Sequence, residues 1–188
     1  MGSSIFYRMV RFLCGWFYKL WFNPKIIGSE NIKEDGPLII ACNHRHKLDP
    51  CASVVSTKRV IHYMAKDKYY EKNPFFKWMG CIKVKSNVSN KEAVSLAIDL
   101  LNNGGVLGIF PEGTRNKTEN KLLPFKYGTV KIAQETGAYI VPAAISGDYR
   151  FRSHNLVIRY GKPFKVLSDE DLTLANERLK EKILKLMK

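Results

Sequence analysis

No acidic side chain occurs in the first 29 positions of this 188-residue sequence, and over the whole chain Asp and Glu total 17 against 31 Lys and Arg, a net charge of +14 with the four histidines neutral. A deficit of that size points to anionic partners, whether nucleic acid, phosphorylated small molecules or acidic lipid. Cysteine is sparse as well: Cys14, Cys42, Cys51 and Cys81 show no C-x-x-C spacing, so free thiols in a reducing compartment are expected. There is no internal repeat and no low-complexity tract. The N-terminal apolar stretch is interrupted by charge and followed by no small-residue cleavage pattern, so no secretory signal is expected. Hydrophobic residues at 45% and charged residues at 26% exclude disorder, collagen and a many-helix membrane protein, and the length suits one core.

Where acids are missing, aromatics are abundant. Phe6, Tyr7, Phe12, Trp16, Phe17, Tyr18, Trp21 and Phe22 lie within the first 22 positions. Arg8, Arg11, Gly15 and Lys19 recur at helical spacing, so a helix here has one polar stripe and a broad apolar face opposite. From Ile5 to Phe22 it is roughly 27 Å long at about 1.5 Å per residue, marginal for a hydrocarbon core of about 30 Å. With three charges inside that length, lying in the interface fits better than spanning. Phe6, Arg8, Arg11, Phe12, Trp16, Phe17, Lys19 and Trp21 are the expected docking residues on an anionic membrane surface. The alternative is a helix folded back onto the domain as core. Nucleic acid is the weaker partner, because stacking platforms use a few exposed rings in a groove, whereas this apolar face is continuous and partly aliphatic.

The organisation expected is residues 1–24 as the docking helix and 25–188 as one α/β domain. Short runs rich in β-branched residues read as strands: Pro37 to Cys42, Ile61 to Ala65, Cys81 to Val84, Val106 to Phe110, Tyr139 to Ile145 and Asn155 to Tyr160. Helical stretches separate them, among them Ala52 to Ser56, Lys91 to Leu101 and Gly128 to Thr136, and Asp169 to Lys188 closes the chain as an amphipathic helix. Alternation of this kind predicts a central, mostly parallel, buried sheet flanked by helices. Ligands then collect at the carboxyl ends of the strands.

Two loops at such ends carry chemistry. After the first run comes Asn43-His44-Arg45-His46-Lys47-Leu48-Asp49-Pro50. His44 followed by Asp49 suits a general base whose second ring nitrogen is held by a carboxylate. Asp49 before Pro50 also suits a helix cap, and one side chain could do both. His44 with His46 as metal ligands lacks a third partner, and Cys42 or Cys51 as nucleophile competes with the commoner buried thiol. After the strand ending at Phe110 comes Pro111-Glu112-Gly113-Thr114-Arg115. Gly113 permits close backbone approach, Thr114 offers a hydroxyl and Arg115 a planar fork matched to phosphate oxygens. Lys117, Lys121, Lys126 and Lys131 extend the positive field against Glu119 alone. The bland alternative is a turn with Arg115 paired to Glu112.

Asn43-His44 with Asp49 resembles the N-H-x-x-x-x-D motif, and Phe110 to Arg115 (FPEGTR) the third motif, of the glycerolipid acyltransferases, most closely the short bacterial-type lysophosphatidate acyltransferases. Ile140-Val141-Pro142 resembles their apolar fourth motif. One position departs: where the second motif runs from glycine to an arginine six residues on, this chain has Gly80 and then Ser86, with Lys83 and Lys85 nearby. Either Lys85 reaches the phosphate, or Arg115 does more of the binding, or the acceptor differs.

The resemblance implies that His44, oriented by Asp49, deprotonates the free hydroxyl of a 1-acylglycerol 3-phosphate for attack on an acyl thioester, with coenzyme A or acyl carrier protein as the co-substrate's carrier. It implies no metal and no cofactor. Glu112, Gly113, Thr114, Arg115 and Lys85 are the implied substrate-binding residues. The implied site of action is the cytoplasmic face of a membrane, held peripherally or monotopically. The alternatives are another acceptor, such as a different lysolipid or glycerol 3-phosphate, and a non-catalytic membrane-surface protein.

Overall fold

A computed structural model of the chain describes residues 4–85 and 90–188. Helix α1 (Ser4–Phe22) leads to strand β1 (Lys25–Ile27). There follow β2 (Leu38–Cys42), α2 (Asp49–Val54), β3 (Ile61–Lys66), α3 (Asp67–Tyr70), α4 (Pro74–Trp78), β4 (Ile82–Val84), α5 (Lys91–Asn102), β5 (Val106–Ile109), α6 (Gly128–Thr136), β6 (Tyr139–Ser146), β7 (Val157–Tyr160) and α7 (Leu172–Leu186). The described strands form one seven-stranded sheet in the order β1-β7-β6-β2-β5-β3-β4. Neighbours run parallel except β6 with β7. The alternation therefore produces the α/β sheet it predicts. Among the described residues, β1, three residues with no room to show a period, a 3-10 turn at Ser29–Asn31 and the short helices α3 and α4 escape the sequence pattern.

Strand β2 shows why the sheet is buried on both sides. Its side chains alternate across the pleat: Leu38, Ile40 and Cys42 join α1 and α2 in one apolar cluster, while Ile39 and Ala41 join α5, α6 and α7 in the other. An apolar run without polar alternation is what a strand covered on both faces requires. Helix α7 is fixed by Ala175, Leu179 and Ile183, spaced one helical turn apart and fully buried, and by Asp171, whose carboxylate accepts from the backbone N–H groups of Thr173 and Leu174.

Helix α1 both folds onto the domain and leaves a face open. Tyr7, Gly15, Tyr18 and Phe22 are buried against the sheet side, and Ile61 N–H donates to the Tyr7 hydroxyl at 3.1 Å. Burial raises the Tyr7 phenol to about 12, so it remains un-ionised as that acceptor. The polar stripe is not uniform. Arg11 turns inward, donating to the carbonyls of Thr57 and Lys58, and Gly15 faces Val55. Arg8 and Lys19 are exposed. Stripe and apolar face are thus partly exchanged: the small and hydroxyl-bearing positions seat the helix, and Phe12, Trp16 and Phe17 face outward.

The central pair of strands places the site. β2 and β5 are parallel neighbours with Ala41 opposite Ile109, so the loops that follow them leave the same edge of the sheet about 4.8 Å apart.

Candidate active site between the loops after β2 and β5

The loop after β2 starts from a fixed point. Asn43 is buried and continues the ladder with its side chain: Nδ2 donates to the Ile145 carbonyl at 3.0 Å and Oδ1 accepts from Ile145 N–H at 2.8 Å. The chain then curls around Asp49. Oδ2 accepts from Arg45 N–H and His46 N–H, each at 2.7 Å, and lies 2.9 Å from His44 Nδ1. The carboxylate is therefore turned back onto its own loop, with no capping bond to α2, which starts at Asp49 with Pro50 in its first turn. The cap alternative fails because both backbone donors that the carboxylate reaches precede it.

Asp49 is 2% exposed and His44 17%. Because the ionised carboxylate only accepts, Nδ1 of His44 carries the proton and Nε2 is left as the acceptor. The imidazole plane is fixed by Phe110, stacked on it at 4.0 Å and 14°. Tyr63 stacks on the far side of the run, at 5.5 Å from Phe110.

The second loop is tied to the first through Glu112. Its carboxylate is 3% exposed and bridges two backbone donors, His44 N–H at 2.7 Å and Leu123 N–H at 2.9 Å. The alternative pairing with Arg115 is not formed: Glu112 is engaged by backbone donors, and Arg115 makes no ion pair with a described residue. Asn116 N–H closes the junction by donating to the His44 carbonyl at 2.6 Å. Gly113 has φ of +66°, and a Cβ there would lie 2.8 Å from Cε of Lys126. Glycine is needed for the positive φ of the turn, and the end of the Lys126 side chain lies over it, which brings a second cation to the loop beside Arg115.

Of the other sequence candidates, Thr114 is exposed on the same loop. Lys85 stands at the end of β4, exposed, its backbone N–H donating to Asn90 Oδ1 at 2.6 Å. It shares the carboxyl edge of the sheet but lies two strands from β5, about 10 Å along the edge. Lys83 is engaged elsewhere, with its ammonium 2.6 Å from Glu71. Ser86 lies outside the described residues. The thiols are not poised as nucleophiles: burial, then the charges of Asp49 and Glu112, pushes Cys42 well above the ordinary thiol range. Burial, with Cys14 and Asp49, raises Cys51 to about 11.

Two features carry no local signal. Phe110 reads as the last residue of a strand, and its stack on His44 needs the adjacency of β2 and β5. Tyr149, a hundred positions from Asp49, donates its hydroxyl to Asp49 Oδ1 at 2.7 Å. A groove of about 580 Å3 opens beside the pair, lined by Arg45, His46, Asp49, Lys121, Tyr149 and Arg150 among others. Its cationic rim suits a substrate that bears phosphate.

The apolar face of α1 is wider than the helix. Phe6 meets Trp78 and Phe75 of α4 edge-on at 5.3 and 6.3 Å, and Trp21 meets Phe151 at 4.7 Å. Ile5, Phe12 and Trp16 are 79%, 74% and 65% exposed, and Trp78 and Phe151 also lie open. Contiguous exposed apolar surface of this kind marks an interaction face. Among the described residues no helix is long and apolar enough to cross a membrane.

Comparison with known proteins bears on this geometry. A family model described as Acyltransferase matches residues 23–146, a span that contains both loops. The chain is 31% identical over 173 residues to 1-acyl-sn-glycerol-3-phosphate acyltransferase of Bacillus subtilis, covering 85% of each protein. It is 32% identical over 142 residues to the protein of the same name from Borreliella burgdorferi, covering 72% of this chain and 56% of that one. In fold it resembles the crystal structure of the 1-acyl-sn-glycerophosphate (LPA) acyltransferase PlsC from Thermotoga maritima, with a TM-score of 0.75 at 22% identity over 96% of this chain and 76% of that one.

Proposed function

This chain belongs to the acyltransferase family and is an acyltransferase, and from that premise we propose that it esterifies the free hydroxyl of 1-acylglycerol 3-phosphate with a fatty acyl group taken from acyl-CoA or acyl carrier protein, giving phosphatidate. The observation that carries the reading is the contact between His44 Nδ1 and buried Asp49, 2.9 Å, on a loop bolted by Glu112 to a glycine- and arginine-bearing turn. The names of the relatives at 31% and 32% identity support the same acceptor.

The chemistry follows from the geometry. Nε2 of His44 takes the hydroxyl proton as the oxygen forms its bond to the thioester carbon, and Asp49 stabilises the imidazolium. Collapse of the tetrahedral intermediate breaks the carbon–sulfur bond, and the same imidazolium returns the proton to the departing thiolate. The ring, fixed by Phe110 and Asp49, loses no orientational freedom in reaching that arrangement. No acyl-enzyme and no resident metal or cofactor enter this route. Arg115, Lys126, Thr114 and the Gly113 turn hold the acceptor phosphate. On this basis Arg115→Ala raises KM for the acceptor about tenfold or more while KM for the acyl donor is unchanged. Steady-state kinetics with each substrate varied in turn checks this, and an equal rise in both constants would contradict the assignment. A panel of lysophosphatidate, other lysolipids and glycerol 3-phosphate, each run with both donors, tests the acceptor. Faster turnover of any other acceptor replaces the reading with that alternative.

We further propose that α1, with Phe75, Trp78 and Phe151 beside it, seats the enzyme on the anionic cytoplasmic surface of a membrane without crossing it. Exposed Arg8 and Lys19 face the headgroups, and the aromatic rings enter the interface. Trp16→Ser and Trp78→Ser should each weaken partition into phosphatidylglycerol-containing vesicles about tenfold, with melting temperatures unchanged because both rings are exposed. Undiminished vesicle cosedimentation of the Trp78 variant removes α4 from the docking face.

A further inference from the structure

Asp49 receives four hydrogen bonds, and only three come from its own loop. His44 Nδ1 and the N–H groups of Arg45 and His46 converge on Oδ2, while Oδ1 is held by the Tyr149 hydroxyl at 2.7 Å. Tyr149 belongs to the connection between β6 and β7, and its ring is enclosed by aromatic neighbours. His46 stacks on it at 4.3 Å. From α1, Phe22 meets it edge-on at 5.4 Å and Tyr18 at 6.3 Å, and the Tyr18 hydroxyl donates to that of Tyr149 at 3.5 Å. The same connection is joined to α1 again where Arg152 N–H donates to the Trp21 carbonyl at 2.8 Å. Burial first, and then the charge of Asp49, pushes the Tyr149 phenol far above its ordinary range, so the hydroxyl keeps its proton and remains a donor to the carboxylate.

We infer that Tyr149 is a positioning residue for the base, setting the rotation of the Asp49 carboxylate and making it depend, through Phe22 and Tyr18, on how α1 is seated. The inference rests on the assignment of His44 and Asp49 made above. A carboxylate with three donors on one oxygen and none on the other has its second oxygen desolvated without a partner, since Asp49 is 2% exposed. The Tyr149 hydroxyl supplies that partner. It holds the carboxylate plane in which Oδ2 points at Nδ1. Helix α1, whose outer face carries the exposed aromatics, thereby reaches within two side chains of the carboxylate. The helix proposed to meet a lipid surface thus also seats the side chain that orients the base.

Tyr149→Phe isolates the hydroxyl, because the ring and its aromatic contacts remain. A carboxylate free to turn Oδ2 away from Nδ1 no longer orients the base, which predicts a fall in kcat of about tenfold or more, with both KM values within about twofold of the parent. The acid limb of the kcat/KM profile moves to lower pH, because a carboxylate free to turn away from Nδ1 holds the His44 imidazolium less strongly. The other charged or titratable groups around the pair are Arg45 and His46 on its loop, Cys42, Cys51, Glu112, and, across the groove, Lys121, Asp148 and Arg150. All of these are unaltered in the variant. Phe22→Leu, which loosens the seat of Tyr149 but leaves the hydroxyl, should lower kcat less, and the double variant should be no slower than Tyr149→Phe alone. Full kcat in Tyr149→Phe, or a loss matched by the unfolded fraction in circular dichroism with the acid limb unmoved, overturns the inference. Should Tyr149→Phe not fold, an unchanged kcat in Phe22→Leu overturns it. His44→Ala, assayed alongside, separates the two levels: activity there removes the assignment of the base, whereas an inactive His44→Ala with a fully active Tyr149→Phe removes this inference alone.

Discussion

Replacing His44 with alanine should lower kcat for acyl transfer about a hundred- to ten-thousand-fold, the range a positioned general base contributes, and leave the fold intact. The reason for both halves lies in how the residue is attached. Its main chain carries the structural bonds, N–H to Glu112 and C=O from Asn116 N–H, and these persist in the variant. What disappears is the imidazole between Asp49 and the acceptor hydroxyl, together with its stack on Phe110. Without it the hydroxyl must lose its proton to water, and the thiolate must leave unprotonated. Thiol release from acyl-CoA in the presence of lysophosphatidate measures the loss, and melting temperature with vesicle binding provides the control. Activity within a few-fold of the parent would show that His44 is not the base.

Glu112→Gln should be the most destabilising conservative change in the site. Both carboxylate oxygens accept from backbone N–H groups, His44 at 2.7 Å and Leu123 at 2.9 Å, and the side chain is buried. A glutamine can satisfy only one of them, because its amide group presents N–H to N–H at the other. A buried donor left without an acceptor costs about 2 kcal/mol, or about 4–8 °C in Tm for a chain of this size. Because Glu112 joins the loop of the base to the loop of Arg115, and losing either bond loosens that junction, kcat should fall as well, and KM for the acceptor should rise. A calorimetric or fluorescence melt gives the first readout and steady-state kinetics the second. An unchanged Tm would mean that the bridge contributes nothing to the junction.

Both variants act at a place where two distant parts of the sequence meet, and this is where legibility divides. The β2 run and the helix spacing of α5, α6 and α7 were readable because burial on both faces of a strand, or on one stripe of a helix, imprints a short period. Asn43-His44 with Asp49, and Glu112 to Arg115, were readable because their chemistry demands those residue types within one loop. Helix α1 was legible as amphipathic but not in its orientation. Aromatic rings occur on both sides of it, and the choice between them was made by the partners of Tyr7 and Arg11. Asp49 and Glu112 each had a plausible local partner, a helix start and Arg115, and each was taken by backbone donors instead. Tyr149 offered no signal at all, since nothing near it in the chain speaks of a carboxylate.

By sequence alone, the scarcity of acids and the crowding of aromatics near the N-terminus raised the expectation of an anionic partner, periodicity determined the α/β sheet, and loop chemistry marked out two candidate loops for a hydroxyl and a phosphate. Periodicity and loop chemistry are short-range properties, and they survive in one dimension. The order of the sheet put β2 beside β5, and so His44 on Phe110 and Glu112 under His44, residues 68 positions apart. That same packing decided which oxygen of Asp49 meets Tyr149, because a buried carboxylate takes whichever donors the closed fold brings within hydrogen-bond reach.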